Sequence, residues 1–151
     1  HDEIVGVSGH WERVVEGLDS AQRLGMTVYV HTLAMKRTLS EVPGMASWVH
    51  QRWGQPLALA PMRPKESLFP FTREAPVLGA VRGVRSPDVA LVGFPLCVGE
   101  PGSAALLTRL YFRSQRRDFA SPCESCSVQS RCEGVVSGYL TALGSSELRP
   151  S

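Results

Sequence analysis

The sequence contains little lysine, no long apolar run and no signal peptide. Only Lys36 and Lys65 are lysines among 16 basic residues, and with 14 acidic residues the formal net charge is +2. A charge this small indicates neither a nucleic-acid nor a membrane partner. No apolar run approaches the roughly 20 residues that cross a bilayer, and the first residues lack the basic and apolar regions of a secretory signal. The composition, 43% hydrophobic, predicts about one globular domain in the cytoplasm.

Patterns for hydrolysis and phosphate binding are also absent. The sequence has no recognisable serine–histidine–aspartate arrangement and no glycine-rich phosphate loop. The spacing of Glu12 and Glu16 places both on a helix surface. The chain begins at His1-Asp2-Glu3 without a methionine, so we expect it to be part of a longer protein. The cysteines are therefore the main candidates for chemistry.

All four cysteines can be assigned to one site. Cys123 and Cys126 form a Cys-x2-Cys pair, Cys132 follows after five intervening residues, and Cys97 lies upstream. Four thiolates are what a tetrahedral zinc ion or an iron–sulfur cluster requires. Ser121-Pro122 favours a tight turn before the pair, while the five-residue gap is longer than a zinc knuckle usually needs. In a reducing compartment the set indicates metal binding, as a cluster or as structural zinc, although unligated buried thiols are a further alternative.

Residues 8–60 alternate between helical and strand patterns. Apolar side chains recur at helical spacing over residues 8–24, where Ser8 is a suitable N-cap and Gly25 a suitable C-terminal stop. Residues 26–33 are nearly continuously apolar and rich in β-branched side chains, which predicts a strand covered on both faces.

A second helix and strand follow. Thr38 and Glu41 have the spacing of a capping box, Gly54 marks the end of the helix, and residues 57–60 predict a short buried strand. The apolar stripe of this helix consists of Val42, Met45, Ala46, Val49 and Trp53. Helix–strand–helix–strand order with short links predicts parallel strands joined by right-handed crossovers.

The second half is less regular. Residues 61–71 form a proline-interrupted connector. Residues 73–83 predict a short helix that Pro76 confines to a start near that residue, and residues 88–92 predict a strand that leads to the first cysteine. Residues 106–117 predict a β-hairpin whose arginine-rich end either binds a peptide or phosphate or is a solvated edge. Residues 134–143 predict a closing helix that the following glycine stops.

The cysteine-rich tail resembles the C-terminal tail of radical S-adenosylmethionine (radical SAM) enzymes. It reads Cys-x2-Cys-x5-Cys-x-Gly, followed by Tyr139 and by Gly144-x2-Glu147-Leu-x-Pro150. In that family a SPASM or shorter twitch extension holds an auxiliary 4Fe–4S cluster. The full SPASM pattern has a further cysteine where this chain has Val136. The resemblance therefore implies a single auxiliary cluster with the ligands Cys97, Cys123, Cys126 and Cys132.

The first half is similar to the later half of the radical SAM barrel. His1-Asp2, Gly9-His-Trp11 and Glu41-Val-Pro43 match the family pattern, whereas Thr38 stands where an asparagine is usual. The resemblance implies an α/β fold. Residues 1–70 would form the C-terminal half of a partial (β/α) TIM-like barrel, and residues 71–151 a bridging segment and a SPASM/twitch-like extension with a β-hairpin.

Strand alternation predicts which side chains face the barrel interior. Tyr29 and His31 would point there, where the family binds S-adenosylmethionine and substrate. A hydrogen-bonded core histidine is an equally good interpretation of His31. Lys36 and Arg37 follow the strand at its C-terminal end, where active-site loops gather in such barrels, although a solvated loop pair is the simpler interpretation.

The family resemblance implies chemistry that this chain cannot perform alone. A complete enzyme would use S-adenosylmethionine and a second, catalytic 4Fe–4S cluster to generate a 5′-deoxyadenosyl radical for hydrogen abstraction. A peptide substrate and an electron donor are the expected partners. The catalytic Cys-x3-Cys-x2-Cys triplet is absent from the sequence. The alternatives are a non-catalytic, zinc-stabilised α/β interaction module and a degenerate remnant with a structural cluster.

Overall fold

A computed structural model describes residues 1–64, 70–84, 86–99 and 117–150 as a mixed α/β chain. The helices are α1 (Asp2–Val5), α2 (His10–Arg23), α3 (Val42–Trp53), α4 (Phe71–Glu74), α5 (Leu78–Arg82) and α6 (Tyr139–Leu143). The strands are β1 (His31–Ala34), β2 (Leu57–Pro61), β3 (Val89–Leu91), β4 (Arg117–Asp118) and β5 (Val135–Val136). Short 3₁₀ turns cover Leu39–Glu41, Ser121–Ser125 and Gln129–Arg131. In these described ranges, no helix is both long and apolar enough to cross a membrane.

The central feature is a three-stranded parallel sheet in the order β1-β2-β3. The middle strand is buried along its length, and Leu57 and Leu59 have no exposed surface. Both belong to the main hydrophobic core, which also includes the buried face of α3. The α/β class and the parallel pairing are confirmed, while closure into part of a barrel stays a prediction.

Helix α2 forms where its periodicity predicts, but its N-terminal cap differs. The N-cap residue is Gly9 at φ 68°, without a side-chain hydrogen bond, so the assignment of Ser8 as the cap is wrong. The Asp2 carboxylate instead accepts a hydrogen bond from the backbone N–H of Trp11 at 2.7 Å. This satisfies one of the free donors of the first turn and lowers the pKa of Asp2. Gly25, at φ 79°, follows the helix end as expected.

Strand β1 is shorter and more exposed than its sequence predicts. Val28 and Ala34 are buried, whereas Tyr29 is 42% and Leu33 40% exposed. The expectation of a strand covered on both faces is therefore wrong. The physical reason is position, because β1 lies at an edge of the described sheet and buries one face only.

Helix α3 begins without the expected capping box. Thr38 precedes a 3₁₀ turn and Glu41 is itself the N-cap residue, and neither side chain makes a cap hydrogen bond. Pro43 in the first turn has no N–H and so removes one donor that a cap would satisfy. The predicted apolar stripe is confirmed, and Gly54 ends the helix at φ 71°. The buried residues of α3 are Val42, Ala46, Val49 and Trp53.

The two helices predicted in the second half are shorter than their sequence ranges. The helix expected within residues 73–83, with its start confined by Pro76, is α5, and the separate short helix α4 ends before the proline. The helix expected over residues 134–143 is confined to α6. Val135–Val136 pairs antiparallel with β4 instead. Of the predicted 106–117 hairpin, only Arg117 lies within the described residues.

Candidate metal centre

All four cysteines line a single pocket, which we call the cysteine pocket. The empty space in this pocket, including the part that is open to solvent, is about 370 Å³. Cys97 reaches it from the loop after β3, here called the Cys97 loop (residues 92–99). The other three reach it from the chain between β4 and β5, and all four are half-buried, free thiols. Further walls come from Phe119, Val135, Leu148 and Pro150.

Consecutive tight turns bring three of the cysteines to the same side of the chain. The N–H of Cys126 donates to the carbonyl of Cys123 at 3.1 Å, and two more such steps lead through Gln129 to Cys132. Each turn brings the chain back after three residues, so all three cysteines remain close enough to line the same pocket. Pro122 in the first of these turns supports that turn, as the sequence predicts.

The sulfur of Cys132 accepts two backbone hydrogen bonds. The donors are the N–H of Leu96, at 3.4 Å, and the N–H of Gly134, at 3.3 Å. The first bond joins Cys132 to the Cys97 loop across 36 residues of sequence. Backbone N–H donors stabilise negative charge on sulfur and help to set the reduction potential of a cluster.

Arg117 contacts both segments that lead to the cysteine pocket. Its guanidinium donates to the carbonyl of Gly93 at 3.0 Å and lies 3.5 Å from the Glu133 carboxylate. The side chain is only 12% exposed, so a solvated edge is the wrong interpretation for this arginine. Burial lowers the pKa of Arg117, opposed by the negative charge of Glu133. Arg117 therefore joins the end of β3 to the residue after Cys132.

Among the described residues, the cysteine pocket holds no preformed metal site. A tetrahedral zinc ion, with Zn–S bonds of about 2.3 Å, requires sulfur atoms roughly 3.8 Å apart. No three Cys, His, Asp or Glu side chains in these described ranges are gathered closely enough to hold a metal ion. The feature that associates the four thiols is therefore the pocket that they share.

The other predicted site residues lie elsewhere. Tyr29, two residues before β1, and His31, the first residue of β1, are both exposed and do not line the cysteine pocket. Tyr139, from the tail motif, packs edge-on against Phe71 with ring centroids 6.1 Å apart. Burial raises the pKa of Tyr139 to about 12, so its phenol stays neutral. Tyr139 therefore has a packing role.

The most notable residue that sequence reasoning missed is Glu74. It is 5% exposed, and its carboxylate binds the Arg37 guanidinium, with Nε at 3.0 Å. Its backbone carbonyl also accepts the N–H of Lys36 at 2.7 Å. Lys36 and Arg37 are both exposed, as a solvated loop pair would be, and the Arg37 guanidinium also pairs with the buried Glu74 carboxylate. The sequence contains one indication of such a partner, because Lys36 and Arg37 directly follow the strand and two adjacent basic residues favour a nearby carboxylate.

The sequence is similar to that of GTP 3′,8-cyclase from several Brucella species. The proteins of Brucella canis and Brucella ovis are each 28% identical over 135 residues, and that of Brucella abortus is 27% identical. The alignments cover 85% of this chain and 38% of each relative, so the chain spans less than two fifths of their length. No family model and no solved structure matches it. GTP 3′,8-cyclase is a radical SAM enzyme, so the comparison supports a relationship to that family.

Proposed function

We propose that this chain is the C-terminal part of a radical SAM enzyme and that its four cysteines hold an auxiliary 4Fe–4S cluster. The observation that carries the proposal is the single pocket lined by Cys97, Cys123, Cys126 and Cys132. Similarity to a radical SAM enzyme over 85% of the chain supports it. When bound, such a cluster would supply a centre for electron transfer or an iron that accepts a substrate atom.

The protein's own residues would bind, orient and shield this group. Hydrogen bonds from Leu96 and Gly134 would orient Cys132 and stabilise its charge. Apolar walls at Phe119 and Leu148 would keep water from the thiols. This part is inactive alone under the proposal, because the catalytic Cys-x3-Cys-x2-Cys triplet lies outside the sequence.

The proposal divides the chain into two units. Residues 1–70 would belong to the radical SAM barrel, with Tyr29 and His31 on the face toward S-adenosylmethionine, and residues 71–151 would form the cluster-binding extension. The names of the relatives favour GTP as the substrate of the complete enzyme over the peptide expected from SPASM-type proteins. GTP-dependent release of 5′-deoxyadenosine by the full-length protein tests this. Release that requires no GTP would contradict it.

Metal and sulfide analysis after anaerobic reconstitution tests the cluster itself. We expect about four irons and four sulfides per chain at this site, with a brown visible spectrum, in the wild type. Cys126→Ala should lose them. Ser127→Ala, an exposed neighbour in the same turn region, is the matched control and should keep them. One tightly bound zinc ion and no stable cluster would instead favour the zinc-stabilised interaction module.

A further inference from the structure

Arg82, at the end of α5, binds two distant parts of the chain. Its Nε donates to the backbone carbonyl of Cys97 at 2.9 Å, and its Nη2 donates to the backbone carbonyl of Glu147 at 2.5 Å. These carbonyls lie 15 and 65 residues away along the sequence. A single guanidinium thus connects a cysteine of the pocket to the C-terminal end of the described chain.

The C-terminal contact also forms part of the pocket wall. We call residues 147–150 the cover segment, because Leu148 and Pro150 both line the cysteine pocket. Leu148 is 6% exposed, so its side chain is turned inward. The Glu147 carboxylate accepts a second hydrogen bond from helix α5, from the N–H of Gly79 at 3.3 Å. Helix α5 therefore holds the residue directly before Leu148 at two points.

Helix α5 does not need Arg82 for its own position. Leu78 and Val81 are 3% and 1% exposed and anchor the helix in the core. Removing the guanidinium therefore leaves the helix attached while it frees the two carbonyls. A guanidinium suits this task because it presents several N–H donors in a fixed plane, whereas an ammonium group has no such fork.

We propose that Arg82 is a positioning residue that holds the Cys97 loop and the cover segment together at the cysteine pocket. Stabilisation of a bound cluster by Arg82 rests on the proposed function. The hydrogen bonds from Arg82 to the Cys97 loop and to the cover segment do not. Hydrogen bonds from a charged donor are stronger than neutral ones, so losing both should release the loop and the cover segment locally. Cys97 would then become accessible more often, and a bound cluster would be lost sooner.

The first experiment needs no metal. In the reduced, metal-free full-length protein, the alkylation rate of each cysteine is followed by mass spectrometry for wild type, Arg82→Gln, Arg82→Lys and Arg23→Gln. Arg23 is the control because it also ends a helix, its guanidinium donates to the Ser20 hydroxyl of that helix at 2.8 Å, and it does not line the cysteine pocket. We expect Cys97 to react about tenfold faster in Arg82→Gln, the factor that about 1.4 kcal/mol produces.

The variants differ in informative ways. Arg82→Lys should accelerate Cys97 by roughly threefold, because an ammonium group can keep one carbonyl but not span both. Cys123 and Cys126 should be accelerated less than Cys97 in Arg82→Gln, since Arg82 hydrogen-bonds the Cys97 carbonyl directly and affects their turns only through the cover segment. Arg23→Gln should match the wild type throughout. If Arg82→Gln does not fold, Arg82→Lys carries the test.

The second experiment measures the rate at which a reconstituted cluster is lost to a chelator, by its visible absorbance. We expect faster loss in Arg82→Gln and wild-type loss in Arg23→Gln. A wild-type Cys97 rate in Arg82→Gln would overturn the proposal, as would equal acceleration of all four cysteines, which indicates general destabilisation. If the wild type takes up no cluster, the proposed function fails, and the alkylation rates still decide the role of Arg82.

Discussion

At the scale of single residues, Glu74 has the most demanding environment. It is the buried charged residue of the described core, at 5% exposure, and its carboxylate depends on the Arg37 guanidinium. The hydrogen bond from Arg37 lowers the pKa of Glu74 below its ordinary value of 4.5, against the opposing effect of burial. Removing the Arg37 guanidinium would take this partner away from the buried Glu74 carboxylate, and a buried charge that loses its partner destabilises the fold.

This pKa shift gives the stability a specific pH dependence. Because the folded pKa of Glu74 is depressed, its contribution is fully present above about pH 4.5 and is lost as the pH falls through the folded value. Glu74→Gln should therefore be less stable than wild type at neutral pH and lose less stability on acidification. Urea unfolding between pH 7 and pH 3 measures this. Glu12→Gln, an exposed carboxylate on α2, should follow the wild-type curve, and an unchanged acid slope in Glu74→Gln would contradict the assignment.

At the scale of elements, replacing glycine by alanine should change the free energy of unfolding in opposite directions at Gly17 and at Gly134. Gly17 lies inside α2, where an added Cβ would meet no atom within 4 Å. Alanine restricts the unfolded chain more than glycine does and favours helix. Gly17→Ala should raise the free energy of unfolding by about 0.8 kcal/mol, measured by urea denaturation. A loss of stability would show that α2 is packed on this side too.

Gly134 should respond in the opposite direction. Its φ is +68°, and an added Cβ would lie 2.7 Å from the backbone carbonyl oxygen of Asp118. The left-handed conformation alone costs a non-glycine residue about 1 kcal/mol, and the contact with β4 adds strain. Gly134→Ala should lower the free energy of unfolding by roughly 2 kcal/mol. It should also weaken the bond to the Cys132 sulfur, so Cys132 should be alkylated faster. Wild-type stability in this variant would argue against the β4–β5 pairing.

Local patterns predicted the elements whose signals lie within one segment. Helix α3 and strand β2 follow from the apolar stripe ending at Trp53 and from the buried run at Leu57, because each pattern needs no distant partner. The sequence predicts a helix at Val135–Val136, although two apolar residues are compatible with a helix or a strand. In the structure they form a strand, because they pair with β4.

In the candidate site too, local features could be predicted from the sequence and long-range contacts could not. The turn at Cys123 and Cys126 could be predicted from the Cys-x2-Cys spacing and Pro122, whereas the two further turns through Gln129 to Cys132 were not predicted. The position of Cys97 followed only from the number of thiols that a metal site needs. The contacts of Arg82 and of Glu74 could not be predicted, because each joins residues at least 15 positions apart.

At the scale of the whole molecule, the sheet has an exposed strand. β1 is an edge of the described sheet, and Leu33 on its outer side is 40% exposed. Edge strands with apolar side chains pair readily with other chains. We expect residues 1–151, produced alone, to associate as the concentration rises.

A charge on this strand should reduce the association. Leu33→Lys places a solvated cation on the edge, a common means by which proteins prevent strand pairing. Sedimentation velocity over a concentration series measures the effect. Leu24→Lys, at a site that is 81% exposed and outside the strand, is the control and should change little. A monodisperse, cooperatively unfolding wild-type monomer would count against an open sheet edge and against the partial barrel.

The order of the pocket's parts along the chain also matters during translation. All four thiols, the last of them Cys132, emerge from the ribosome before Leu148 and Pro150, which form part of the wall. A nascent chain therefore passes through a stage in which the thiols are present and the wall is not. A metal or cluster delivered then meets an uncovered site. One delivered later meets a site whose wall Leu148 and Pro150 already complete, next to the residue that Arg82 binds.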